Sequence, residues 1–188
     1  MDGLRPQLTA NRTRRGARLA GASFALALAG SIVVFALASP AQPVTPLAAA
    51  QASPEALARV VIEAVRSADR PSLDALALDE QEFRVHVWPF LPASRPGRHV
   101  PFEFAWRMLR QRSAGHLAQT IERFRGKPMT LEAVEFAGHS TTYGDATVHR
   151  DTRLIVRRPD GSRESVRLFG ATVEQHGRFK VFSYVIED

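Results

Sequence analysis

The stretch from Pro101 to Phe124 constrains the fold of this chain more than any other, because it holds the longest helical pattern outside the N-terminal apolar run. Its apolar and small side chains recur at steps of three and four, which places them on one face of a helix about six turns long. The stripe consists of Phe102, Ala105, Trp106, Leu109, Ser113, Leu117, Thr120, Ile121 and Phe124. A helix with one apolar face needs a covering layer, and we expect a sheet built from the residues after 128 to supply it.

Shorter helices are predicted ahead of this one. Ser53 can cap a helix whose first turn contains Pro54, and an apolar stripe then runs as far as residue 68. Ser72 is expected to cap a short second segment, and Asp79 with Glu82 three residues later forms a capping box. The sequence therefore predicts that the domain begins with helices.

A proline-rich loop is predicted between these helices and the long one. Four prolines lie between Pro89 and Pro101, so no regular element can run through this segment. Trp88, Phe90 and Leu91 are unsuited to solvent, and we expect them either to finish the core or to form a lid over one end of it.

The last sixty residues read as an antiparallel meander. The predicted strands are Met129–Phe136, Thr147–Arg157, Ser165–Val173 and Phe179–Ile186. The second alternates between an apolar and a polar face, and the last is apolar on both faces, which is typical of a central strand. The predicted fold class is α+β: N-terminal helices followed by a curved four-stranded antiparallel sheet that wraps a long helix.

The N-terminal region predicts export. Residues 1–18 carry five arginines against one aspartate, and residues 19–38 contain no charged side chain. Under the positive-inside rule the arginines stay in the cytoplasm, so the domain at 53–188 is expected to be extracytoplasmic, either periplasmic or at the cell surface. Ala36-Leu37-Ala38 favours cleavage of a signal peptide, whereas the length of the run favours a retained transmembrane anchor, and both interpretations stay open. Residues 39–52, rich in proline and alanine, are predicted to be a linker.

Composition excludes several functional classes. The chain has no cysteine, which removes disulfides, thiolate metal sites and cysteine nucleophiles. Of the net charge of +6, residues 1–18 supply +4, so the rest of the chain is nearly neutral and nucleic acid is not a predicted partner. The six histidines have no metal-binding spacing, and no phosphate-binding glycine loop is present, so neither metal nor cofactor is predicted.

The order of elements resembles the cone-shaped α+β superfamily of nuclear transport factor 2, which includes the SnoaL-like proteins. The resemblance covers roughly residues 53–188 and includes Ser53-Pro54-Glu55 and the terminal Phe179-Lys180-Val181-Phe182-Ser183-Tyr184. It implies a cystatin-like fold with a pocket between the long helix and the sheet. Some members of the family use this pocket for isomerase or dehydratase chemistry, and many use it for binding or assembly, so the resemblance does not imply catalysis.

Two groups of residues are candidates for a site. His149 and Asp151 lie two apart on a predicted strand, so they share a face, and a carboxylate beside an imidazole can orient a general base. Tyr184 is the other catalytic candidate. The predicted ligand-binding set, suited to an anionic or aromatic small molecule, consists of Trp88, Trp106, Arg110, Ser113, Arg167 and Tyr184.

Three functional hypotheses follow. The leading one is a non-enzymatic extracytoplasmic domain that binds a small hydrophobic or anionic ligand, or a protein partner. The second is a pocket enzyme of the isomerase or dehydratase type that uses His149 with Asp151, or Tyr184. The third is a bitopic scaffold module of a secretion or envelope assembly, which requires residues 19–38 to stay in the membrane. A homodimer through the sheet face is compatible with each of them.

Overall fold

The structure, a computed structural model, describes residues 46–98 and 100–186. The predicted basic arm at 1–18 and the signal or anchor at 19–38 lie outside the described residues. Within the described part of the chain, no helix combines the length and the apolar content needed to cross a membrane.

Within the described residues, the helical half contains four α-helices and three short turns of other helical types. The α-helices are α1 (Pro54–Ser67), α2 (Arg70–Leu76), α3 (Glu80–Glu82) and α4 (Phe102–Phe124). Between α3 and α4 lie a π-helical turn, Phe83–Val87, and two 3₁₀ turns, Trp88–Phe90 and Pro92–Ser94. The long helix therefore begins and ends where its apolar pattern predicts, while the proline-rich loop is a series of short turns.

The helix caps explain these boundaries. The Ser53 hydroxyl accepts a hydrogen bond from the backbone N–H of Ala56 at 3.1 Å, and Ala68, in the left-handed region at φ 56°, ends α1. The predicted cap of α2 is wrong by three residues, because the carboxylate of Asp69 caps it by accepting from the N–H of Ser72. The predicted capping box at α3 is confirmed, with both of its hydrogen bonds present.

In the part of the chain that the structure describes, the sheet half is divided into seven strands in two antiparallel sheets. The strands are β1 (Thr130–Phe136), β2 (Ser140–Tyr143), β3 (Ala146–Arg150), β4 (Thr152–Arg157), β5 (Arg163–Val166), β6 (Ala171–Gln175) and β7 (Arg178–Ser183). One sheet has the order β1-β4-β5, and the other has the order β2-β3-β6-β7. The α+β class is thus correct, but the single sheet of four strands is wrong.

Asp151 is the reason for the division. Its φ of 50° interrupts the predicted strand 147–157, so β3 pairs in one sheet and β4 in the other. Aspartate tolerates this left-handed conformation better than most residues, which allows a sharp change of direction without glycine. Val148 and Thr152 are both buried on either side of the break, whereas Arg150 between them is exposed, and this one arginine is the sign of the break in the sequence.

β7 lies at the edge of its sheet and not at the centre as predicted. Its free side is covered by two isolated bridges, Gln51 to Phe179 and Ala77 to Val181. This covering explains why β7 has apolar residues on both faces although it is an edge strand. Residues 46–51, which we call the strap, are the last described part of the predicted linker, and Leu47 and Ala50 within them are buried.

The apolar stripe of α4 is confirmed along its whole length, because all nine of its residues are buried or half-buried. Its C-terminal half packs through Leu117 and Phe124 into a core cluster with α1 and with strands of both sheets. Its N-terminal half joins a second cluster, in which Trp88 and Trp106 pack against Phe83. Trp88 thus finishes the core, while Phe90 is 47% exposed.

A buried ion pair fastens the strap to the sheet. Lys180 Nζ lies 2.9 and 2.7 Å from the two carboxylate oxygens of Glu82, and both side chains are at most 5% exposed. The same carboxylate accepts the backbone N–H of Ala48 at 2.7 Å and that of Asp79 at 2.9 Å. Each charge is therefore surrounded by partners, as a buried ion pair requires.

Candidate ligand-binding cleft

A cavity of about 350 Å³ lies between α4 and the sheet that contains β3, β6 and β7. We call it the inner cleft. Its apolar lining consists of Leu109, Val148, Ala171, Phe182, Val185 and Ile186. Its polar lining consists of Arg112, His139, Arg150, Asp151, Arg167 and Ser183. A volume in this range suits a small molecule, and an apolar wall with a few polar groups is the usual composition of a ligand site.

A second, more open cavity of about 860 Å³ continues along the same helix, and we call it the outer groove. Asp151, Arg167 and Ile186 line both cavities. The α4 residues that line the two are Leu109, Arg112, His116, Gln119, Arg123 and Phe124. Their spacing of three and four residues places most of them along one side of the helix, so the two cavities follow one continuous face.

Arginines dominate the charge around both cavities. The lining includes Arg112, Arg123, Arg150, Arg153 and Arg167, whereas Asp151 is the one carboxylate among the described lining residues. Arg112 makes no hydrogen bond or ion pair with any other described residue. An excess of like charge around a concave surface raises the local concentration of anions.

Asp151 holds two of these arginines in place. Its Oδ2 accepts hydrogen bonds from Arg153 Nε at 3.0 Å and Arg153 Nη2 at 2.7 Å. Its Oδ1 lies 3.7 Å from Arg167 Nη1, and it is buried without a hydrogen bond among the described residues. The hydrogen bonds from Arg153 to Asp151 raise the pKa of the Arg153 guanidinium. The same residue that divides the sheets therefore orients the charged groups where the two cavities meet.

Two glycines allow the chain to pass closely at the wall of the inner cleft. A Cβ at Gly170 would lie 1.6 Å from the carbonyl oxygen of Val185, and one at Gly138 would lie 2.9 Å from the backbone of Arg150. Gly170 also bonds the two neighbouring segments, donating to the carbonyl of Ser183 and accepting from the N–H of Thr152. Close backbone approach, rather than an unusual φ, fixes glycine at both positions.

The predicted ligand-binding set is only partly brought together. Arg167 lines the inner cleft as expected, but Trp88, Trp106 and Arg110 do not. Arg110 is exposed and lies 5.7 Å from the Trp106 ring centroid. The residues of α4 that line the inner cleft are Leu109 and Arg112.

Tyr184 and Ser113 belong to the core. The Tyr184 hydroxyl donates to the carbonyl of Leu73 at 2.7 Å, and its backbone N–H donates to the Ser113 hydroxyl at 3.0 Å. Burial raises the pKa of Tyr184 above its usual value, and the nearby Asp74 carboxylate adds to this effect against the opposing influence of Arg70. Tyr184 is therefore enclosed in the core and lines neither cavity.

His149 and Asp151 are not joined as a catalytic pair. His149 Nδ1 lies 2.8 Å from the Ser140 hydroxyl and its Nε2 lies 2.9 Å from Glu174 Oε2, while the ring stacks 4.3 Å from that of Phe136. Serine, histidine and glutamate in a row have the connectivity of a hydrolytic triad. However, these three side chains lie on three adjacent strands and line neither cavity, so we interpret them as cross-strand contacts.

Sequence reasoning missed Arg112, Arg123 and Arg150. The first two follow the α4 stripe at its border, and this spacing is a signal that could have identified them. Arg150 could not have been found, because the break at Asp151 turns the chain there. Within the described ranges, no group of three or more histidine or acidic side chains could hold a metal ion.

Comparisons with known proteins add no relative. No protein-family model matches the chain, and neither curated proteins nor solved structures include a match to it. The functional argument therefore depends on the geometry of the inner cleft and the outer groove.

Proposed function

We propose that this protein is a non-enzymatic binding domain whose inner cleft takes a small amphiphilic anion, such as a carboxylate with an apolar chain. The observation that carries the proposal is an excess of arginine beside an apolar wall: among the described residues, five arginines and one carboxylate line the inner cleft and the outer groove together. The resemblance to the cone-shaped superfamily supports it, because the family's pocket also lies between the long helix and the sheet.

The apolar part of the ligand is expected to lie against the inner wall. Leu109 comes from α4, Val148 from β3, and Phe182 from β7, so three elements converge on the same space. Burial of apolar ligand surface there contributes about 25 cal/mol for each Å² removed from water. This contribution favours a chain or ring over a small inorganic ion.

The anionic part is expected to lie at the border with the outer groove. Arg112 lines the inner cleft from the helix, and Arg167, in the segment that precedes β6, lines both cavities. A guanidinium group can donate two parallel hydrogen bonds to one carboxylate, which gives direction as well as affinity. Asp151 would repel an anion placed directly against it, so the headgroup is expected nearer to Arg112.

The proposal also includes a location for the domain outside the cytoplasm. The arginine-rich residues 1–18 and the uncharged run 19–38 support delivery of the domain outside the cytoplasm. A role as a pocket enzyme through His149, Asp151 or Tyr184 is less well supported, because these residues do not converge on one cavity.

Calorimetric titration of the full chain with decanoate and with decanol tests the proposal. We expect decanoate to bind and decanol to bind much more weakly, since only the former uses the arginines. Arg112→Gln should weaken decanoate binding by roughly tenfold, the usual effect of losing a hydrogen bond to a charged group. It should leave the weak decanol binding unchanged.

Arg59→Gln is the matched control, because Arg59 is exposed on α1 and lines neither cavity. It should bind decanoate like the unchanged chain. Equal affinity for decanoate and decanol, or equal losses in Arg112→Gln and Arg59→Gln, would contradict the proposed site.

A further inference from the structure

The positive charge of the domain is concentrated in residues 83–112, which we call the basic segment. It contains six arginines and a single acidic residue, Glu103, for a net charge of +5. The rest of the chain from residue 46 onward contains 14 basic and 17 acidic residues, so it is slightly negative. A domain that is nearly neutral as a whole therefore has one strongly basic region.

The arginines of the basic segment are all exposed. They are Arg84, Arg95, Arg98, Arg107, Arg110 and Arg112. The single acidic residue does little to offset them, since Glu103 lies 3.8 Å from Arg84, which already pairs with Glu80 at 2.9 Å. The charge of this region is thus presented to solvent.

The same segment carries most of the exposed apolar surface. Five large hydrophobic side chains are exposed among the described residues, and Val85, Phe90, Phe104 and Met108 lie in the basic segment. Phe104 and Met108 are 49% and 42% exposed. Large exposed apolar groups in a segment rich in exposed arginines indicate a surface that contacts something apolar and anionic.

The N-terminal half of α4 shows how the two properties combine. Phe104 and Met108 are one turn apart, so they share a face of the helix, while Phe102 and Trp106 turn toward the core. Arg107 lies beside this face, with its guanidinium 6.0 Å from the Phe104 ring centroid. Apolar side chains flanked by arginines on an exposed helix are typical of an interfacial helix that lies on a bilayer.

We infer that the basic segment docks on a membrane surface that contains anionic lipid. Arginines pair with lipid phosphates, and Phe104 and Met108 enter the boundary between headgroups and acyl chains. Charge complementarity selects this occupant over a symmetric dimer through the same surface, because the second copy would bring the same six arginines against these.

The N-terminal sequence is consistent with this location. Seven residues separate the uncharged run 19–38 from Pro46, where the described domain begins. Such a connection reaches at most about 30 Å when fully extended. If the run stays in the bilayer, the domain is held close to the membrane surface, where weak docking is effective.

A single fluorescent label tests the inference, because the chain has no cysteine. Gln111→Cys, which is exposed on α4 next to Met108, would carry a polarity-sensitive dye in the full chain. We expect a blue shift with vesicles of equal parts phosphatidylglycerol and phosphatidylcholine, and none with phosphatidylcholine alone. The shift should disappear in roughly 1 M salt, where the Debye length is about 3 Å.

The control label is Val60→Cys on α1, the remaining exposed apolar position outside the basic segment. It should stay in water, because Val60 lies outside the basic segment. Arg107→Gln with Arg110→Gln should raise the lipid concentration for half of the shift by roughly fivefold per arginine. Neither arginine lines the inner cleft, so decanoate binding should be unchanged.

Three outcomes would overturn the inference. They are equal shifts at positions 111 and 60, equal shifts with neutral and anionic vesicles, and no shift with either. A shift produced by soluble polyglutamate but not by vesicles would also overturn it, in favour of an acidic protein partner. Because ligand binding is measured separately, failure here would leave the proposed function of the cleft standing.

Discussion

The two ends of β7 differ in the balance of charged side chains around them. Near its start, Lys180 is buried against Glu82, and every oxygen of that carboxylate has a donor. Beyond its last residue, Val185 and Ile186 border cavities whose described lining contains five arginines and one carboxylate. One end has matched charges enclosed by protein, whereas the other has an excess of one sign open to solvent.

The difference separates charges that hold the fold from charges available to a ligand. A buried ion pair fixes one arrangement of the strap, α3 and β7, because any other arrangement would leave a charge unpaired. Arginines in excess of carboxylates repel one another, so they add less to folding than matched charges do. Substitutions should therefore reduce stability at the strap end and ligand binding at the cleft end.

Lys180→Met should have the largest effect on this comparison. It removes one partner of the buried pair and leaves the Glu82 carboxylate enclosed, which costs about 3 to 5 kcal/mol of unfolding free energy. Chemical denaturation followed by circular dichroism would measure the loss. Glu82→Gln added to Lys180→Met should recover part of it, since no buried charge then remains.

Arg66→Met is the matched control for this substitution. Arg66 pairs with Glu63 at 2.6 Å, but both side chains are about half exposed. Exposed ion pairs add little to stability, so no measurable change is expected. Equal losses in Lys180→Met and Arg66→Met would mean that burial does not distinguish the two pairs.

Sequence reasoning predicted the helices well and the sheets poorly. The α4 stripe and the capping box depend on neighbours within a few residues, so local pattern was sufficient for both. The division at Asp151 and the edge position of β7 depend on pairing with distant residues, such as Gln51 with Phe179. Alternation fixes which residues share a face, but it does not say which other strand lies alongside.

Gly170→Ala tests the wall of the inner cleft and should have the next largest effect. The added methyl would overlap the carbonyl of Val185, so the two backbones must separate at a cost of about 2 kcal/mol. We expect weaker decanoate binding together with lower stability, as measured by calorimetric titration and denaturation. Gly115→Ala in α4, where nothing lies within 4 Å, should instead stabilise by up to about 1 kcal/mol.

The reverse pattern would contradict the structural argument. If Gly170→Ala left both stability and binding unchanged, the close approach of Val185 could not form the wall of the cleft. The contrast with Gly115 matters because both changes add the same methyl group, and only the surroundings differ.

The candidate site was harder to predict than the helices, and Tyr184 shows why. Residues Ser183, Val185 and Ile186 line the inner cleft, whereas Tyr184 between them points to the core. Both orientations suit a tyrosine in sequence, because its ring is apolar and its hydroxyl polar. The core-facing orientation is stabilised by the hydrogen bond from the Tyr184 hydroxyl to the carbonyl of Leu73, which is 111 residues away in the sequence.

Tyr184→Phe should have the smallest effect at neutral pH and a distinctive one in alkali. Loss of the bond to Leu73 should cost about 1 kcal/mol near pH 7. Burial raises the pKa of Tyr184 in the folded state, so above the ordinary value of 10.0 the unfolded chain releases this proton first. Its contribution to stability is therefore complete below about pH 10 and is lost as the pH rises further.

Urea denaturation between about pH 8 and 11 should show stability falling more steeply in the unchanged chain than in Tyr184→Phe, by at most about 1.4 kcal/mol per pH unit. Equal slopes in the two proteins would mean that the ring is not enclosed behind the cleft, and the wall formed by Ser183 and Val185 would then have to face a different side of β7.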